Sequence, residues 1–99
     1  MDSVIIAYQN WLSSTSFKWD TFLHLTTSSP TSIKGFKRKI ERFLEYAGGW
    51  GFFGFEYGKF GGVLHVHGIV EGREREIQDV WYWWFKRYGR NLIQEIKPE

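Results

Sequence analysis

His65 and His67 stand one residue apart in GGVLHVHGIV (61–70). Whether they act together depends on that segment being extended. In a strand, side chains alternate, so both imidazoles point to one face while Leu64 and Val66 point to the other. An H-x-H pair by itself in a strand is more often a half-exposed surface pair. A carboxylate on the same face changes its meaning: two imidazoles and one carboxylate form a three-ligand centre with open positions for a substrate oxygen. The sequence just upstream supplies one. A hairpin turning between Phe60 and Gly61 sets Glu56 opposite His65 and Gly54 opposite His67, and facing Cβ atoms lie about 4.5–5.5 Å apart. Glu56, His65 and His67 are therefore the candidate metal ligands, with Gly54 leaving room beside His67.

The composition narrows what else the chain can be. It has 99 residues, enough for one domain with a single core, and 42 % are hydrophobic, too many for a disordered chain. With no cysteine, a disulfide scaffold, a thiolate metal site and a cysteine nucleophile are all excluded. A metal must be held by histidine and carboxylate, which suits a hard or borderline divalent ion. One residue in five is aromatic, and six are tryptophan, so rings can fill the core and still be left for stacking. A net charge of +2 and a pI near 9.0 are compatible with a nucleic-acid partner. There is neither an apolar run of membrane-spanning length nor a signal peptide, so a cytoplasmic protein is expected.

The elements that must position these residues follow from periodicity. Val4, Ile5, Tyr8, Trp11 and Leu12 predict a short amphipathic N-terminal helix ended by Ser13–Ser16. FKWDTFLHLTT (17–27) predicts a strand with Leu23 and Leu25 on one side and Phe22, His24 and Thr26 on the other. Ser29 and Pro30 carry helix-start chemistry. The helix that follows buries Ile33, Phe36, Ile40, Phe43, Leu44 and Ala47, and Gly48 and Gly49 stop it. Residues 50–70 predict a β-hairpin. A helix over roughly 74–88 buries Ile77, Val80, Trp81, Trp84 and Tyr88 and leaves Tyr82 and Trp83 off the buried stripe. RNLIQEIK (90–97) predicts a last strand. After the N-terminal helix the order is βαββαβ, an α+β domain over residues 1–99. Its antiparallel sheet is ferredoxin-like or RRM-like, with both long helices on one face. The other face is left for chemistry.

Three pieces of this sequence together resemble the HUH endonucleases, the rolling-circle replication initiators (Rep) of plasmids and single-stranded DNA viruses. HVHGIV is similar to their His-hydrophobic-His motif. FLHLTTSSP is similar to their first motif, a hydrophobic strand ending in threonine and followed by proline. The acid of FGFEYG stands where viral-type members carry a third metal ligand. The resemblance spans about Lys18 to Lys97. It implies Mn²⁺ or Mg²⁺ on Glu56, His65 and His67, and nicking and joining of DNA through a 5′-phosphotyrosine link. It implies a cytoplasmic setting, in a prokaryotic cell or the host cell of a plasmid or virus. The expected partner is single-stranded or hairpin DNA at a replication origin, contacted by His24, Thr26, Thr27 and Lys59. The family's nucleophile is a tyrosine on a helix after the last strand, with a lysine three or four residues later. Here Tyr82 and Lys86 have that spacing but fall before the last strand, on the helical layer. The chain is therefore expected to stop short of the tyrosine helix, within a longer parent that carries the nucleophile and has room for a helicase or primase domain. The alternative from another class is an RRM-like single-strand-binding module without catalysis. A phosphoesterase with paired histidine motifs is a third reading; it wants a second motif, and His24 is the only other histidine.

Overall fold

A computed structural model describes residues 18–58 and 63–96. The predicted N-terminal helix and the hairpin tip with Lys59 lie outside these residues. The described elements run β1 (Thr21–Leu25), α1 (Ile33–Ala47), β2 (Trp50–Tyr57), β3 (Leu64–Glu71), α2 (Ile77–Arg87) and β4 (Asn91–Glu95). The four strands form one sheet in the order β2-β3-β1-β4, every neighbouring pair antiparallel. The expected α+β, ferredoxin-like arrangement is what the chain adopts. β1 and β2 run parallel with β3 between them, and β3 and β4 run parallel with β1 between them. Right-handed crossovers then carry both helices to the same face. Among the described residues no helix is long and apolar enough to cross a membrane.

The period-2 pattern of β1 and β3 explains the core. Leu23, Leu25, Leu64, Val66 and Val70 are buried under Phe36, Ile40 and Phe43 of α1 and Val80 and Trp84 of α2. Trp84 is fully buried; its ring stacks on Phe36 at 5.7 Å and its indole N–H donates to the Thr26 carbonyl at 2.8 Å. On the opposite sheet face, Trp19, Phe22 and Ile69 form a second, smaller cluster.

Local chemistry sets the helix boundaries, and it shifts two expectations. Ser32, not Ser29, caps α1: its hydroxyl accepts the Gly35 N–H at 3.0 Å. The Ser29 carbonyl instead accepts from the Thr27 and Thr31 hydroxyls, which holds 27–31 as a turn and delays the helix. In α2 the tryptophans exchange roles. Trp83 is half-buried because Tyr46 of α1 stacks on it at 5.3 Å with Phe43 at its edge, whereas Trp81 is 38 % exposed. Ile33, expected in the core, is also exposed, since it precedes the first turn that reaches the sheet. Gly48 and Gly49 end α1 at φ of 83° and 86°, a region that side chains avoid.

Arg73, just after β3, ties the start of β1 to the end of β4, at the end of the sheet away from His24. Its Nε donates to the buried Thr21 hydroxyl at 2.8 Å, and its guanidinium lies 3.5 Å from Glu95 and 4.0 Å from Asp20. The other Asp20 oxygen accepts the Gly72 N–H. The carboxylates are partly exposed, which moderates their value. Arg73→Ala is expected to lower stability by about 1–3 kcal/mol, read as a lower urea midpoint at unchanged slope.

Candidate metal and nucleic-acid site

The hairpin register follows the sequence expectation: Glu56 pairs with His65 and Gly54 with His67. β1 then brings His24 directly opposite His67. Three imidazoles and one carboxylate, from three adjacent strands, therefore share the sheet face that the helices leave open.

Their contacts are specific. His24 Nε2 and His65 Nδ1 are 3.1 Å apart, a hydrogen bond in which one nitrogen carries the proton and the other accepts. The His24 ring stacks on His67 with centroids 4.3 Å apart and planes 24° from parallel. His67 Nε2 lies 3.5 Å from Glu56 Oε2. The other His67 nitrogen, Nδ1, is buried without a hydrogen-bond partner among the described residues. Gly58, just past β2, leaves space for His65: a Cβ there would stand 3.2 Å from His65 Nε2.

The donor set fits a divalent ion in kind. Borderline imidazole nitrogens and a hard carboxylate are grouped, and a buried ring nitrogen is left without a partner. Among the described residues, no three such groups converge as a bound ion requires. The imidazoles of His24 and His65 face each other, and Glu56 turns toward His67. The His24 hydrogen bond uses only Nδ1 of His65, so the other ring nitrogen, Nε2, is the one left to ligate.

Beside His24 and His65 opens a groove of about 550 Å³, also lined by Thr26, Thr27, Gly58, Val63, Arg90, Asn91 and Leu92. The threonines build its wall. The Thr26 hydroxyl and backbone N–H both donate to the Arg90 carbonyl, at 2.6 and 3.1 Å, which ties β1 to the start of β4. The Thr27 hydroxyl proton is taken by the Ser29 carbonyl at 2.7 Å. To a nucleic acid both can therefore offer lone pairs only, unless these bonds open. Thr26→Val is expected to cost about 1 kcal/mol of stability by removing one of the two bonds to Arg90, measurable as a lower melting temperature.

Lys59 lies outside the described residues. Tyr82 is 57 % exposed on α2, in the layer away from the histidines. Sequence reasoning missed Arg90 and Asn91 as groove residues. Their signal was the sheet order: a βαββαβ domain of this kind sets β4 beside β1, so residues opening β4 stand next to those closing β1.

Comparison with known proteins returned no match to a family model, a curated protein or a solved structure.

Proposed function

We propose that this chain is the metal- and DNA-binding domain of an HUH-type replication initiator, acting on single-stranded or hairpin origin DNA. The observation that carries the reading is the pairing of Glu56 with His65, and of Gly54 and His24 with His67, on one open sheet face. Glu56, His65 and His67 would hold Mn²⁺ or Mg²⁺, which supplies Lewis-acid polarisation of a phosphate oxygen. His24, stacked on His67 and hydrogen-bonded to His65, fixes the orientation of both rings. The groove beside them takes the strand, with Arg90 exposed on its rim.

Nicking requires a tyrosine oxygen to bond to phosphorus while the bond to the 3′ oxygen breaks, giving a 5′-phosphotyrosine and a 3′-hydroxyl. Tyr46 and Tyr88 pack among the helix-layer aromatics, Tyr82 is exposed on α2, and Tyr57 alternates away from Glu56. No tyrosine among the described residues stands on the histidine face, so the nucleophile comes from outside them. The same face also carries Trp50 and Phe52, 44 % and 53 % exposed, which favours metal-free stacking as a second reading.

A labelled single-stranded oligonucleotide separates the two by fluorescence anisotropy. Affinity that rises with Mn²⁺ and falls in EDTA supports the metal reading; affinity indifferent to both supports the stacking module. A denaturing gel adds the chemistry. Strand cleavage that persists in EDTA would assign the histidines to acid–base work without a metal.

A further inference from the structure

Trp81 and Phe85 form a parallel aromatic pair on the outer surface of α2, with centroids 5.0 Å apart, planes 8° from parallel, and exposures of 38 % and 48 %. Two stacked rings this open on a helix surface call for an occupant. The core does not need them, since Val80 and Trp84 make the buried contacts of α2. They are also fastened to the groove. The Trp81 indole N–H donates to the Asn91 carbonyl at 3.3 Å, and the Asn91 side-chain amide donates back to the Trp81 carbonyl at 3.2 Å. Asn91 lines the groove and opens β4, which is an edge strand. Arg90 stands beside it, exposed, and its guanidinium makes no ion pair among the described residues. Lys86, in the last turn of α2, adds a second exposed cation next to Phe85 in sequence.

We propose that a single DNA strand leaving the histidine groove crosses the β4 edge, with a backbone phosphate on Arg90 and a base stacked on the Trp81–Phe85 pair. The proposal rests on the DNA-binding reading of the groove. The chemistry is matched at both points: a guanidinium forks onto phosphate oxygens, and an aromatic face accepts any base. The Asn91–Trp81 bonds keep the two points in fixed register. The track extends the site from the open sheet face round the edge to the helical layer, so a longer strand gains contacts that a shorter one cannot reach.

The test is a length series of oligothymidylates measured by anisotropy at low salt, on wild type, Phe85→Ala, Trp81→Phe and Arg90→Ala. The track predicts that long oligomers bind Phe85→Ala about tenfold more weakly, while the shortest that bind at all are unaffected. Trp81→Phe keeps a ring and retains most of the affinity. Arg90→Ala weakens binding of every length and flattens the salt dependence. Unchanged melting temperatures separate these losses from misfolding. Long oligomers binding Phe85→Ala as tightly as wild type would overturn the track while leaving the groove reading intact. Wild type binding no oligomer at all would overturn both. A concentration-dependent dimer that Phe85→Ala dissolves, seen by light scattering, would hand this surface to a second copy of the chain and overturn the proposal.

Discussion

Replacing both His65 and His67 by alanine is expected to weaken Mn²⁺ binding at least a hundredfold while leaving the fold in place. Outer-shell partners of a metal typically matter by about 10–100-fold, and here two of three proposed ligands are removed outright. The fold should survive because both side chains lie on the open sheet face, outside the helix-side core. The single change His24→Ala is expected to cost less, about tenfold, because on this account His24 orients the other two rings without ligating. Isothermal titration with Mn²⁺ measures all three proteins. If the double variant binds like wild type, the ligand assignment is wrong. If His24→Ala is as damaging as the double change, His24 belongs among the ligands.

Trp84→Ala is the second large effect, and it acts through the fold. Trp84 has no exposed surface and packs on Phe36, Phe43 and Tyr88. Truncating a buried tryptophan costs about 3–5 kcal/mol, against a total stability of about 5–15 kcal/mol for a domain of this kind. Much of the variant should therefore be unfolded or molten at 37 °C, visible by circular dichroism and a lowered urea midpoint. Trp84→Phe separates packing from polarity. It keeps a ring in the core but removes the donor to the Thr26 carbonyl, leaving a half-buried acceptor without its indole partner. That change should cost about 1–3 kcal/mol. Because Thr26 forms the groove wall, Trp84→Phe should also loosen oligonucleotide binding without touching Mn²⁺ affinity.

The histidine face was legible because strand alternation and hairpin register are local. Once the turn is set near Phe60 and Gly61, the partners of His65 and His67 follow by counting, and the observed pairing is the counted one. The buried sides of β1, α1 and β3 were legible for the same reason. Tertiary contacts decided the rest. The sequence predicts Trp81 buried and Trp83 outside, yet α1 offers Tyr46 and Phe43 to Trp83, and no periodicity within α2 alone can state that. The start of α1 turned on competition between Ser29 and Ser32, settled by two threonine hydroxyls that engage the Ser29 carbonyl. Arg90 could be placed in the groove only through the sheet order, because Thr26 and His24, which line the groove with it, are more than sixty positions away in the chain. The His24–His65 hydrogen bond is likewise a product of strand order.

Whether Glu56, His65 and His67 hold one divalent ion on the open sheet face is decided by NMR with substoichiometric Mn²⁺. Paramagnetic broadening falls off steeply with distance, so it reports where the ion sits. With the ion held there, the backbone signals of Glu56, His65 and His67 vanish first, followed by those of His24, while those of α1 persist, and EDTA restores them all. Broadening spread evenly over the surface carboxylates, or centred away from the histidine face, would contradict it.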